Sequence, residues 1–389
     1  AFAELGVRLP VIVSATIELT GTMLAGQGVE ALAVSLQHAG LLTLGLNCST
    51  GPEFMTDHLR SLASLTEFHT SVWPNAGLPD EDGRYRETPM QMAAVLERFI
   101  EQGWLNLIGG CCGTTFEHTR AFAQMAQGKR PRVPARNTRT LFSGIDFVEA
   151  AEDNRPLLVG ERTNEVGSRQ FRRLISEEKY EEGSEVARRQ VKGGAQIIDV
   201  NLQNADRDEL RDVDAFYALL GKKIRVPVMI DTTDPQAIER ALQYCQGKSI
   251  INSINLEDGV EKFDRVTPLA RAYGAALVVG CIDEDKEQAQ AITRQRKLEI
   301  ALRSYRLLTE EFGIRGEDII FDPLVFPCAT GDQNYAGSAV ETIEGIRLIK
   351  EALPLAKTVL GISNVSFGLP EAGREVLNSV FLYHCTKAG

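Results

Sequence analysis

Hydrophobic positions in this chain form short continuous runs separated by longer amphipathic stretches. Apolar runs fall at 10–17, 41–47, 68–73 and 104–109, and helix-period patterns follow near 29–38, 53–65, 90–102 and 116–126. Continuous apolar strands alternating with amphipathic helices predict a parallel sheet covered on both faces. The same beat restarts further along, with strands predicted at 157–160, 196–200, 226–230, 249–254, 275–281, 318–321 and 358–362, and a helix in each interval. So long a run of strand–helix units, with no GxGxxG after its first strand, predicts a (β/α)8 barrel over a doubly wound sheet.

The expected fold class is therefore α/β, with two (β/α)8 TIM-type barrels. The first is represented only by its C-terminal half, and the second lacks its last strand, so both ends of the sequence read as cut. Between them GKRPRVPARNTRT, 128–140, is basic, proline-containing and nearly without apolar residues. It reads as a solvated connector. The expected division is 1–127, a linker at 128–142, and a second barrel over 143–389.

Composition narrows the function classes. The 389 residues are 43% hydrophobic and 24% charged, with a formal charge of −11. That balance suits an ordinary globular protein and opposes general nucleic-acid binding, which needs a basic surface. No apolar run approaches the ~20 residues of a membrane span, and the start, AFAELGVRLP, has no signal-peptide pattern. Seven scattered cysteines are no disulfide framework. The expected setting is a reducing cytoplasm, with no membrane partner.

In a (β/α)8 barrel the chemistry sits at the C-terminal ends of the strands. Strand after strand in the second run ends in polar residues: Glu161-Arg162-Thr163-Asn164, Asp199-Val200-Asn201, Asp231-Thr232-Thr233, Asn252-Ser253-Ile254-Asn255, Asp322-Pro323 and Ser363-Asn364-Val365-Ser366. Any single one of these residues can be a helix cap or a loop anchor. Six converging ends predict a polar mouth. Asp accepts paired N–H donors and Asn offers both donors and an acceptor, so the set suits a flat heterocycle with amide and amine edges better than a phosphate.

The first run carries a different chemistry. Cys48 ends its second strand, and Cys111-Cys112 end its fourth. Three thiolates would leave a tetrahedral Zn2+ one open position, as catalytic zinc sites do. Two small buried residues after a glycine bend would explain Cys111-Cys112 equally simply. Cys245, Cys281, Cys328 and Cys385 sit in apolar contexts and read as packing.

These motifs resemble a known family. GLNCSTGP (45–52), PNAGLP (74–79) and GGCCGTT (109–115) resemble the second half of the homocysteine-binding barrel of the cobalamin-dependent methionine synthases. GERTN (160–164), IDVN (198–201), MIDTTDP (229–235), INSIN (251–255), FDPLVFP (321–327) and GISNVSFGLP (361–370) resemble that family's folate-binding barrel. The resemblance implies that Cys48, Cys111 and Cys112 are zinc ligands, with the homocysteine sulfur taking the fourth position. It implies that Asp231, Asn252, Asp322 and Asn364 hold the pterin of 5-methyltetrahydrofolate, with Asn201 and Asn164 in the same mouth. Asn364 would bond N5 and favour its protonated form, the catalytic role. The family's DG-x-x-GT turn and its cobalamin-binding DxHxxG are absent, so cobalamin is expected on a domain outside this chain. The arginine that follows SNVSFGLP closely in the family is matched only by Arg374, three residues further along. An alternative is a stand-alone pterin enzyme of the dihydropteroate synthase type with a structural zinc module.

Overall fold

The computed structural model describes residues 6, 7 and 9–389. The chain divides into two compact units, Ala1–Asn137 with Ile145–Phe147, and Thr138–Gly144 with Val148–Gly389.

The first unit is built on four parallel strands in sequence order: β1 (Ile12–Ala15), β2 (Thr43–Asn47), β3 (His69–Trp73) and β4 (Leu107–Ile108). Between and after them lie α1 (Val29–Ser35), α2 (Thr56–Leu65), α3 (Pro89–Glu101) and α4 (Phe116–Ala126). Each helix packs one apolar stripe: α2 buries Leu59, Leu62 and Leu65, and α3 buries Met92, Leu96, Phe99 and Ile100. The start of α3 is fixed by a Thr88–Gln91 capping box with Pro89 in the first turn. Strands β2 and β3 approach so closely at Gly45 that a Cβ there would lie 2.1 Å from the Ser71 hydroxyl.

The stretch expected to be a solvated connector is exposed over most of its length but docks at Arg132 and Asn137. Arg132 is buried, and its guanidinium donates to the carbonyls of Phe68, Ala63 and Thr66 at 2.7, 2.8 and 2.6 Å. The Asn137 amide donates to Leu65 O at 2.9 Å. Most of these acceptors are the unpaired carbonyls at the C-terminal end of α2, where a cation is favoured.

The second unit is a curled, all-parallel sheet of seven strands, each paired with its sequence neighbour. The order is β5 (Val159–Asn164), β6 (Ile197–Asn201), β7 (Val228–Asp231), β8 (Ile250–Leu256), β9 (Ala276–Asp283), β10 (Ile319–Asp322) and β11 (Lys357–Thr358). Helices α5 (Arg169–Ser176), α6 (Tyr180–Lys192), α7 (Glu209–Lys223), α8 (Pro235–Tyr244), α9 (Glu261–Tyr273), α10 (Arg294–Arg306), α11 (Ser338–Ala352) and α12 (Glu371–Ala388) fill the intervals and follow the last strand. Within this unit the final strand falls furthest short of expectation, as β4 does in the first unit. The chain leaves the sheet after Thr358 and coils into a 3-10 turn over Ile362–Ser366.

Strand alternation sorts the barrel's side chains into two cores. Outward residues such as Ile198, Ile230, Ile251, Leu277 and Phe321 pack against the helices. Inward residues Ile197, Met229, Ile250, Ala276, Val278 and Ile320 form a separate apolar layer with Phe142. A cavity of about 440 Å³ lies along this layer, between the unpaired edges of β5 and β11, lined by residues such as Phe142, Met229, Ile250, Ile320 and Leu382. Most of its wall area is apolar, with charged residues such as Glu152, Arg155, Glu161 and Lys350 also lining it, and the ring of Asp and Asn side chains lies one layer higher. Among the described residues, no helix is long and apolar enough to cross a membrane.

Candidate functional site

Two residues beyond the apolar layer, the inward positions turn polar on nearly every strand. Ile197 is followed by Asp199 and Asn201, Met229 by Asp231, Ile250 by Asn252, and Ile320 by Asp322, while Val278 is followed by Gly280. Register brings them level, with Asn252 opposite Asp231 and Gly280 opposite Asp322. Gly280 contributes no side chain, so the layer is a ring of carboxylates and carboxamides with a gap on one side.

These groups are knitted together. Asn164 and Asn201, both buried, donate from Nδ2 to the same Asp231 oxygen, Oδ2, at 3.3 and 3.1 Å. Asn252 donates to Asp199 Oδ1 at 3.2 Å. The backbone N–H of Leu324 donates to Asp322 Oδ1 at 2.8 Å. Burial raises all three carboxyls. Asp199 is pushed well above its ordinary value, with the Asp231 and Glu161 charges adding to the rise. Burial pushes Asp231 up to about 6, against the Asn201 bond that lowers it. Asp322 rises to about 6, offset by the Leu324 N–H and the Lys297 charge.

What remains unengaged matters as much. Among the described residues, Asp231 Oδ1 and Asp322 Oδ2 accept no hydrogen bond. Asn364 sits on the 3-10 turn after β11, exposed, and among the described residues its side-chain amide has no hydrogen-bond partner. Arg374 reaches back to the same turn, donating to Ser366 Oγ at 3.2 Å and Ser363 O at 3.4 Å. It supports the turn that carries Asn364.

The thiols of the first unit also meet. Cys48 follows β2 directly, and Cys111 and Cys112 follow β4 through Gly109-Gly110. The loop after β3 laces the two ends together. Cys48 N donates to Trp73 O at 2.9 Å, Cys111 N to Pro74 O at 2.9 Å, Cys112 N to Asn75 Oδ1 at 3.1 Å, and Ala76 N to Cys112 O at 2.9 Å. Cys48 and Ser49 both adopt left-handed φ, 53° and 58°, a costly conformation for non-glycine residues that recurs at functional sites. The three sulfurs lie within 4.8 Å of one another. The Cys48 and Cys111 sulfurs are in direct contact, with Cα atoms 5.7 Å apart, and Cys112 Sγ lies 3.9 Å from Cys111 Sγ. Three converging soft donors fit one Zn2+.

Around this cup, Tyr85 has its phenol raised by burial and by the neighbouring Cys112 sulfur. Gly113 makes room for the Tyr85 ring, since a Cβ there would lie 2.2 Å from Cγ. Glu87 is raised by burial and then by Glu53. His118 uses both ring nitrogens, Nδ1 with Thr115 and Nε2 with Glu87 O at 3.0 Å, and so serves packing.

With both sites described, the comparisons have a clear meaning. Residues 160–389 match the family Pterin binding enzyme, well over half of the chain. The chain belongs to the pterin-binding enzyme family. Residues 1–126 match the family Homocysteine S-methyltransferase. The whole chain is 38% identical over 396 residues to a methionine synthase of Mycobacterium tuberculosis and 37% over 404 residues to that of Mycobacterium leprae, covering 33% of each. The chain thus spans about a third of the length of these relatives. A dihydropteroate synthase of Xanthomonas albilineans is 16% identical, with a TM-score of 0.47, over 62% of this chain and 86% of that one.

Sequence reasoning named Asp231, Asn252, Asp322, Asn201 and Asn164, and the structure gathers them in one mouth, with Asn364 on the turn after the last strand. It counted Asp199 among the polar strand ends but left it out of the pterin-holding set, although the alternation from Ile197 to Asp199 marks it as inward. It also missed Asn75, Tyr85 and Glu87 beside the thiols, which sit in a loop with no periodic signal. Lys297 was missed as well. Its signal was a lysine on the buried face of α10, in step with Ile300, Ala301 and Ser304.

Proposed function

We propose that this chain is the substrate-handling part of a cobalamin-dependent methionine synthase, a methyltransferase. In this reading the second unit binds 5-methyltetrahydrofolate and the thiols of the first hold Zn2+ for homocysteine. The observation that carries it is the inward ring of Asp199, Asp231, Asn252 and Asp322 beside the side-chain-free Gly280. A pterin offers paired N–H donors to the open oxygens of Asp231 and Asp322, and amide edges to the carboxamides.

The methyl of the folate leaves from N5, an amine, and the amine departs readily only when protonated. The Asn364 side chain, engaged by nothing else, accepts a hydrogen bond from N5 as its proton arrives. That bond strengthens toward the transition state, which is where it lowers the barrier. Solvent supplies the proton, and no residue need be a strong acid.

A disulfide would use two sulfurs, and the cup holds three. Zn2+ bound by Cys48, Cys111 and Cys112 supplies a Lewis acid that lowers the pKa of the homocysteine thiol, so a thiolate exists at neutral pH. Cobalamin, held by a domain outside this chain, would supply the methyl carrier between the folate site and the zinc site. This reading expects the cytoplasm, where the thiols would stay reduced and free to bind zinc.

Calorimetric titration of the zinc-loaded protein tests the reading. Saturable, stoichiometric binding of 5-methyltetrahydrofolate is expected, and absence of binding at pH 7 would overturn it.

A further inference from the structure

Lys297, on α10, is fully buried. Its Nζ donates to three carbonyl oxygens, Ala291 at 2.7 Å, Leu324 at 3.3 Å and Pro323. The ammonium also lies 5.2 Å from the centroid of the Phe326 ring. Among the described residues no carboxylate comes close enough to form an ion pair with it, although its charge is felt at Asp322. Burying a lone ammonium is costly, and a neutral donor would tie a loop at less expense. The fold makes specific room for it: a Cβ on Gly345 of α11 would lie 2.7 Å from Lys297 Cδ.

The carbonyls it holds belong to the turn that leaves β10. Leu324 adopts a left-handed φ of 64°, unfavourable for a residue with a branched side chain. Its carbonyl is gripped from both sides, by Lys297 Nζ and by Thr342 Oγ1 at 2.9 Å. Its N–H points back to Asp322 Oδ1 and leaves Oδ2 open. A continuous set of contacts therefore runs from the ammonium, through two carbonyls and one strained residue, to the orientation of a pterin-site carboxylate.

We propose that Lys297 is a positioning residue of the pterin site, holding the Pro323–Leu324 turn so that Asp322 presents one carboxylate oxygen to the ligand. The inference rests on the pterin reading of the mouth. The titratable groups facing the ammonium are Asp322 from β10, Cys281 from β9 and Glu341 from α11. Burial and these neighbours leave Lys297 titrating near 8, while Asp322 lies near 6 and Cys281 near 12. Between pH 7 and 9.5 the lysine is the group of this set that changes charge.

The test is titration of 5-methyltetrahydrofolate into the intact protein and its Lys297→Met variant across pH 7–9.5. The wild type is expected to lose about tenfold in affinity as the ammonium deprotonates, given tenfold in charge ratio per pH unit. Lys297→Met is expected to be weaker at pH 7 by about the same factor, with a flat profile that meets the wild-type curve at high pH. Thr342→Val, which releases the other grip on Leu324 O, is expected to weaken binding by a few-fold at pH 7, the size of one neutral hydrogen bond. If Lys297→Met does not fold, the wild-type profile and Thr342→Val still decide. A wild-type profile flat to pH 9.5, or Lys297→Met binding as tightly as wild type at pH 7, overturns the inference and leaves the pterin reading standing. A wild type that binds no folate at pH 7 overturns both.

Discussion

Both units put their polar groups at the C-terminal ends of parallel strands, yet they hold them by opposite means. In the second unit the groups are buried side chains on regular strands. Asp199 and Asn201 are almost wholly covered, and carboxamides bond carboxylates on neighbouring and next-but-one strands. In the first unit the thiols lie in loops, partly or fully exposed, and backbone bonds from the β3 loop fix them. A hydrogen-bonding site gains from dryness, because a low local dielectric strengthens every contact made to the ligand. A metal-thiolate site needs converging donors and an open position more than it needs burial. The same end of a strand thus serves two chemistries, and the means of support follows the strength of the bond to be made.

The comparison predicts that each site fails alone. The largest effect is expected from Cys111→Ser: bound zinc should fall from about one per chain to near zero, measured by metal analysis, and homocysteine methylation should be lost with it. Folate affinity should stay within about twofold, since removing a hydrogen bond is what moves affinity and none is removed there. A fall in folate affinity would break the separation. Next comes Asp231→Asn, which removes the charge bonded by Asn164 and Asn201. Calorimetry should show folate binding weaker by roughly 10- to 100-fold, the size of a charge-assisted bond, with zinc content unchanged.

The smallest effect is set by pH. Asp231 and Asp322 both titrate near 6 in the folded protein. In the proposed reading they accept paired pterin N–H groups as carboxylates, and protonation turns one acceptor oxygen into a donor and removes the charge that strengthens the other. On the acid side of neutrality, folate affinity should therefore be full at about pH 7 and fall roughly tenfold between pH 6 and 5, as expected for loss of one required ionised group. The stability of the ligand-free unit moves the other way. These carboxyls are raised above their unfolded values, so their contribution is present at low pH and lost as pH rises from about 4 through 6. An affinity that stays constant down to pH 5 would remove the buried carboxylates from the contact set.

How much of this was readable from sequence depends on the kind of support. Asp231 and Asp322 were legible because each ends an apolar strand, and strand period fixes which way they face. Cys48 and Cys111-Cys112 were legible by the same rule, one strand apart on either side of β3. Asn75, Tyr85 and Glu87 were not, because the loop after β3 carries no period that says where its side chains point. Arg132 misled for a related reason: a basic, proline-bearing stretch looks solvated until the carbonyls at the end of α2 claim its guanidinium. The final strand was drawn too long, since the apolar residues of 359–362 serve the turn that carries Asn364 as well as they would serve a sheet.

The most direct test of the two-site account is the zinc K-edge absorption spectrum of the metal-loaded protein, recorded before and after homocysteine is added. Three sulfur neighbours and one lighter atom are expected at first, and four sulfurs afterwards. A zinc ion whose neighbours do not change, or one already ringed by four protein ligands, would contradict the account.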